Sequence, residues 1–177
     1  MLDEVWEVYS KCDLRVGKIV KCEEHPQSEH LYKELIDLGE GEPRLIGSGL
    51  KGKIPIDEML SGLVIVFANL QPRTLADFQS NGMVMCASSA DKSTVELIRP
   101  PEGSKIGERI QLTGNPILGE PVNQVKEEVL NPKKKYAERF LDKICTNEHG
   151  QAAYNGVTLE TSSGILTSKT LKNVPIA

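Results

Sequence analysis

Aromatic side chains are scarce in this sequence, at 5%, with one Trp, four Tyr and three Phe in 177 residues. A surface that stacks a long run of single-stranded bases needs more of them. A basic excess is missing as well: 21 Lys plus Arg face 25 Asp plus Glu, leaving a formal charge of −4. The whole molecule therefore repels a polyanion at long range, and any nucleic-acid site has to be a local basic patch on an acidic body. No apolar run reaches the roughly 20 residues of a membrane helix, and Met1-Leu2-Asp3-Glu4-Val5-Trp6 lacks the basic and apolar regions of a signal peptide. A cytoplasmic location with no membrane partner is expected. Cys12, Cys22, Cys86 and Cys145 form no C-x-x-C pair and have no histidine at ligand spacing, so they are expected to be free thiols in a reducing compartment.

The signatures of the common chemistries are missing too. There is no Gly-rich phosphate loop, no H-E-x-x-H and no nucleophile elbow, so no catalytic residue, metal or cofactor is assigned. His25 and His30, five apart around Pro26, read as part of a solvated turn rather than as a metal or acid–base pair. Cys86 reads as a small buried strand residue.

What is present is a succession of short strands. After a leader at 1–11, Asp13 to Cys22 reads as a strand whose alternation changes phase near Gly17: Leu14 and Val16 share one face and Ile19 takes the other. A bulge or sharp bend there is what a small barrel needs to close. Two more strands, at 31–38 and 44–50, complete a meander. Pro55 opens a short helix predicted to carry Ile56, Met59 and Leu60 inward. The run Leu63-Val64-Ile65-Val66-Phe67-Ala68 is a buried strand, and further strands follow at 83–87 and 95–98.

This order predicts a mainly β fold, a Greek-key barrel of OB type over 12–112, although periodicity alone equally allows another small barrel. Residues 113–177 form a small α+β extension. It begins with a linker over 113–129, continues with a helix capped by Asn131-Pro132 that runs to about Lys143 with Tyr136, Phe140 and Ile144 as its stripe, and ends in a hairpin turning at Asn155-Gly156. Such a piece is too small to bury much alone and is expected to pack on the barrel or on a partner.

Several runs together resemble one family. They are Asp13-Leu14-Arg15-Val16-Gly17-Lys18-Ile19, His25-Pro26 before Leu31-Tyr32, Ser48-Gly49-Leu50, Asn69-Leu70 with Pro72, Gly82-Met83-Val84-Met85-Cys86-Ala87-Ser88, and Leu130-Asn131-Pro132-Lys133-Lys134-Lys135. In this order they resemble the endothelial monocyte-activating polypeptide II family, which is similar to C-terminal domains of certain tyrosyl-, methionyl- and lysyl-tRNA synthetases. The resemblance implies a non-catalytic OB-fold domain that grips the outer corner of the L-shaped tRNA without reading an anticodon. It implies further that the domain serves a synthetase in cis or within a multi-synthetase complex. The extension resembles a segment that imitates a dimer interface, so a monomer is expected. The family also has secreted cytokine forms, whose heptapeptide corresponds to Arg15-Val16-Gly17-Lys18-Ile19-Val20-Lys21, with Lys21 where threonine is usual. A cytokine-like or protein-interaction module with weak RNA affinity, and a secreted fragment, are the alternatives.

The candidate RNA-binding residues carry two readings each. Lys133, Lys134 and Lys135 in the first turn of a helix sit at the positive end of its dipole, which an anion would relieve; a solvated run is the alternative. Arg15 and Lys18 contact RNA or discourage strand-edge pairing. Ser48, Asn69 and Ser80 touch RNA backbone or satisfy turn amides, and Met83 touches RNA or is core; for these four the resemblance carries the assignment. In the loop after Asn69, positions that are basic in relatives are Gln71, Thr74 and Ala76, and a glycine is Asp77. Only Arg73 offers a replacement charge there, so weaker tRNA binding than in relatives is expected.

Overall fold

In the structure, a computed structural model, residues 4–114 and 129–177 are described; most of the linker placed at 113–129 lies outside them. The chain opens with helix α1 (Glu4–Lys11), where the sequence reading had only a leader. Val5, Val8, Tyr9 and Cys12 recur at helical spacing, and the last three are buried. That is the apolar stripe of a helix lying on a core.

The barrel follows: β1 (Leu14–Glu24), β2 (Tyr32–Asp37), β3 (Arg44–Ser48), α2 (Ile56–Leu60), β4 (Val64–Phe67), β5 (Arg73–Leu75), β6 (Phe78–Ser80), β7 (Met83–Val84), β8 (Cys86–Ser88) and β9 (Val95–Leu97); β10 (Gln111–Leu112) then leaves it to pair with residues 159–160 of the extension. The main sheet has the order β3-β2-β1-β4-β7, with antiparallel neighbours throughout. β1 is shared: Leu14 to Gly17 pair with β4, and Lys18 to Glu24 with β2. The change of partner falls at Gly17, where the alternation changes phase, while the register shift itself comes slightly later, between Ile19 and Lys21. Asn81 N donates to Leu45 O at 3.0 Å, drawing the far end of the sheet back onto β3. The result is the nearly closed barrel expected of an OB fold.

Two buried clusters explain why the 63–68 run is apolar throughout. Val64 and Val66 face the barrel interior, with Ile36, Ile46 and Met59. Ile65 and Phe67 face outward into a second cluster with Tyr9, Phe140, Tyr154 and Leu166. A strand covered on both faces loses its alternation. Helix α2 plugs the barrel with Met59 as expected, but Leu60 is 38% exposed rather than inward. Ile56, three residues before Met59, packs on the same interior cluster, and a helix of little more than one turn leaves Leu60 off that face.

The extension contains a 3₁₀ turn (Pro132–Lys134), α3 (Tyr136–Leu141), β11 (Ile144–Thr146), β12 (Ala152–Tyr154), β13 (Val157–Thr161) and β14 (Gly164–Ile165). Asn131 caps as predicted, its side chain accepting from Lys133 N at 3.0 Å. The single helix expected here is instead broken: Lys135 is left-handed, at φ 54°, and α3 starts only after it. Ile144, assigned to the helical stripe, lies in β11. The Asn155-Gly156 hairpin forms with both residues at positive φ, 48° and 84°, as a tight two-residue turn requires.

The extension lies on the outward face of β4. Phe140 stacks on Tyr154 at 5.1 Å and meets Phe67 edge-on at 5.3 Å. The 174–177 segment stitches the two parts together, exchanging 2.8 Å backbone bonds between Ala177 and Cys86 while Thr146 N donates to Val174 O.

Candidate nucleic-acid interface

At the junction of barrel and extension lies a groove of about 800 Å³. One wall is the end of β3 with Ser48 and Gly49, together with Met83 and Val84 of β7. The β5–β6 hairpin contributes Arg73, Leu75 and Ser80, and the extension contributes Leu130, Pro132, Tyr136 and Ala137. Among the described residues, Lys53, Arg73 and Lys92 are its lining cations, all exposed, and Glu138 is its one acidic lining side chain. Lys53 Nζ donates to the backbone carbonyl of Lys92 at 3.1 Å, which brings the two residues together at one rim.

The hairpin owes its position to a close approach. A Cβ on Gly47 would stand 2.7 Å from Leu75 Cδ1 and from Phe78 Cζ, so only glycine lets the hairpin settle this tightly on β3. Ser80 Oγ accepts from Gly47 N at 2.9 Å and donates to Gly82 O at 3.1 Å. His25, read from the sequence as part of a solvated turn, is 3% exposed. Its ring lies over Phe78, with centroids 6.1 Å apart, and its Nε2 is 2.6 Å from Asp77 Oδ1. Gln27 N donates to Nδ1 at 3.2 Å, so Nδ1 is the acceptor and Nε2 carries the hydrogen given to Asp77. That bond holds the Asp77 carboxyl below its usual range. Asp77 is thus a latch on the hairpin that keeps its negative charge, because the imidazole it holds is neutral.

The structure brings some candidate residues together and separates others. Ser48, Arg73, Ser80 and Met83 line the groove. Lys133, Lys134 and Lys135 are exposed immediately after the lining residue Pro132. They belong to a three-residue 3₁₀ turn and a left-handed residue rather than to the first turn of an α-helix, so the dipole argument for them falls away. Asn69 is 2% exposed; its Oδ1 accepts from Asp13 N at 3.0 Å and its Nδ2 donates to Lys11 O at 2.8 Å. This side chain joins α1 to the end of β4.

Arg15 lies outside the groove lining. Its guanidinium is held 2.9 Å from Asp13 and 3.5 Å from Glu40, and against the effect of burial these carboxylates keep it more firmly protonated than usual. Lys18 is half-buried on β1 beside the Asp37 pairing position. Of the heptapeptide, Val16, Gly17 and Ile19 are buried, leaving only Val20 and Lys21 exposed. A mid-barrel strand is not presented as a linear epitope. Arg44 and Arg99 are engaged structurally, Arg99 donating to the carbonyls of Glu58, Ser61 and Leu63 around the end of α2.

Sequence reasoning missed Lys53, Lys92 and the His25–Asp77 latch. The pair of lysines flanking Gly52 was a usable signal for the first. Nothing local marks the others. The thiols of Cys22 and Cys86 are pushed up to about 12, chiefly by burial, and so stay protonated and unreactive. Among the described residues no cluster of His, Cys, Asp and Glu could hold a metal, and no helix is long and apolar enough to cross a membrane.

The chain is 44% identical to the cytoplasmic methionine–tRNA ligase of Arabidopsis thaliana, over 93% of this chain and 20% of the ligase. It is 39% identical to aminoacyl tRNA synthase complex-interacting multifunctional protein 1 of Cricetulus griseus, over 93% of this chain and 44% of that protein. The chain therefore spans less than half the length of these two relatives. The crystal structure of the C-terminal domain of Plasmodium vivax p43 superimposes with a TM-score of 0.83 at 29% identity, covering 95% of this chain and 98% of that one. The family described as the putative tRNA binding domain matches residues 14–109, which run from the start of β1 to just short of β10, and the chain belongs to that family.

Proposed function

We propose that this chain is a non-catalytic module that binds tRNA largely independently of sequence, at the outer corner of the L. It serves an aminoacyl-tRNA synthetase, in cis or within a multi-synthetase complex, in the cytoplasm. The observation that carries the reading is the gathering of exposed cations, Lys53, Arg73 and Lys92 in the groove lining and Lys133 to Lys135 directly after its Pro132, in a chain whose formal charge is −4. Held locally, such a patch attracts phosphate without an overall positive charge. The methionine–tRNA ligase and the complex-interacting protein to which the chain is similar supply the context.

Arg73 and Lys133 to Lys135 are the proposed phosphate contacts, with Lys18 at a second point on the barrel. Met83 touches RNA from the groove wall, and so does the Ser48 oxygen, which can still accept although its hydrogen is given to Glu34. The side chains of Arg15, Asn69 and Ser80 are occupied within the protein, so they are proposed to shape the site rather than to touch the ligand. The barrel over 12–112 and the extension over 113–177 are proposed as the two parts of one monomer. In that arrangement the extension lies on Ile65 and Phe67 where a second subunit would otherwise sit. Linked to a catalytic domain, such a module raises the local concentration of tRNA.

Nuclease footprinting of an end-labelled tRNA at low salt tests this reading. Protection confined to the corner where the D and T loops meet is expected. Protection centred on the anticodon loop would refute it.

A further inference from the structure

The groove has a property that phosphate binding does not need: its walls are apolar. Leu31, Leu70, Leu75, Met83, Val84 and Leu130 line it, drawn from the barrel, the hairpin and the extension. An A-form duplex presents phosphates, riboses and the edges of stacked bases, and its convex surface cannot enter a cleft of about 800 Å³. One unstacked nucleotide can, since a cleft in the range of roughly 300–1,000 Å³ suits a ligand of that size.

We propose that the groove captures a single unstacked nucleotide of the bound RNA. Its base lies between the barrel wall and the extension, and its phosphate meets the cations at the rim. This rests on the proposed tRNA-binding function and deepens it. Charge complementarity selects the occupant: among the described residues, the lining side chains carry three cations, Lys53, Arg73 and Lys92, against one acid, Glu138, on a chain whose net charge has the opposite sign. A purely apolar partner would leave those cations unanswered. Of the lining glycines, Gly47 and Gly82 are closed by the side chains packed on them, but Gly49 is open, a Cβ there meeting only His30 O at 4.0 Å, so that a flat base can approach bare backbone at that point of the wall. The scarcity of aromatics fits one captured base and not a stacked run, for Tyr136 is the one aromatic in the lining among the described residues.

The inference gives the extension a second role. Without Leu130, Pro132, Tyr136 and Ala137 the barrel has one wall of the groove and no cleft. A barrel alone can hold RNA by its phosphates; the barrel with its extension can also hold a base.

Gly49 supplies a variant that fills the cleft. A Cβ placed there meets only His30 O, at 4.0 Å, and the residue has no positive φ, so a side chain fits the backbone without strain. Gly49→Leu should plug the groove while leaving every cation in place.

The test has two arms on the full chain. In the first, the wild type is titrated with 5′-AMP and, separately, with ribose 5-phosphate, with methyl signals followed by NMR. AMP should shift the methyls of Met83, Val84 and Leu130, whereas ribose 5-phosphate should leave them in place. In the second, tRNA binding by Gly49→Leu is followed across a salt series, with thermal melting as the check on folding. Exclusion of one captured base should weaken binding by about tenfold at every salt concentration, with the slope of log K against log salt unchanged because every bound phosphate stays neutralised.

Methyls that ignore AMP to about 10 mM, or Gly49→Leu binding tRNA as tightly as the wild type, would overturn the proposal. So would a plug that spares tRNA binding while abolishing association with a protein partner, because the groove would then be a protein-docking site. If AMP shifts the methyls and tRNA fails to bind, the groove assignment stands and the tRNA reading falls. The two failures are thereby kept apart.

Discussion

Glu34 is a carboxyl group inside the barrel, and its titration should set how stability responds to pH. It is 0% exposed; Oε1 accepts from the Ser48 hydroxyl, and Oε2 has no hydrogen-bond partner among the described residues. Burial pushes its pKa up to about 8, against the smaller opposing effect of the Ser48 bond. Between the ordinary carboxylate range and that value, the folded protein keeps a proton that the unfolded chain has released. Stability contributed by the neutral group is therefore present at acid pH and drains away as pH rises through this window. At 1.36 kcal/mol per unit, the loss between pH 5 and pH 9 is about 4 kcal/mol. Glu34→Gln removes the titration but places an amide N–H₂ where Oε2 had no partner, costing about 1–3 kcal/mol at low pH. The variant should be the less stable protein at pH 5 and the more stable one by about 2 kcal/mol at pH 9. Urea unfolding followed through the single Trp, Trp6, at several pH values measures both curves, and their difference cancels every other titrating group. Parallel curves from pH 5 to 9 would refute the claim that Glu34 is held neutral.

Other predictions follow from the same geometry. Replacing Lys133, Lys134 and Lys135 by alanine should leave melting unchanged and flatten the salt dependence of tRNA binding by roughly 0.7–0.9 log unit for each phosphate no longer neutralised; an unchanged slope would mark them as a solvated run. Phe140→Ala removes the ring between Phe67 and Tyr154 and should cost about 3–5 kcal/mol in urea unfolding, while a cost under about 1 would contradict the packing of the extension on the barrel. Deleting residues 130–177 bares Ile65, Phe67 and Met85, so sedimentation should show self-association, and a soluble monomer would remove the interface argument. Asp77→Gly restores the residue usual in relatives but cuts the bond to His25; tRNA affinity should fall, and a rise would show that the charge at 77 acts by repulsion after all.

Much of the barrel is readable in the sequence because its signals are local. Val64 to Phe67 is apolar throughout since both of its faces are covered, and the change of phase at Gly17 marks where β1 leaves one partner for the other. The turns at Asn131 and Asn155-Gly156 carry their own chemistry. Helix α1 was also legible from Val5, Val8, Tyr9 and Cys12, although eight residues give a weak stripe. What could not be read depends on distant partners. His25 is buried by Asp77 and Phe78, some fifty positions away, and the short polar strands β5 and β6 exist because Gly47 lets them dock. The left-handed Lys135 breaks a helix that its local sequence favours, and the structure offers no residue-level cause for it. The groove draws on β3, the 73–84 region and the extension at once, so its members are scattered while its apolar walls look like ordinary core positions.

The most direct test of the whole account is the dissociation constant of the wild-type chain for unfractionated tRNA, measured over about 50–300 mM salt. The account predicts binding at the low end that weakens linearly on a log–log plot, with a slope corresponding to several neutralised phosphates despite a net charge of −4. Absence of binding at about 50 mM salt, or affinity indifferent to salt, would contradict it.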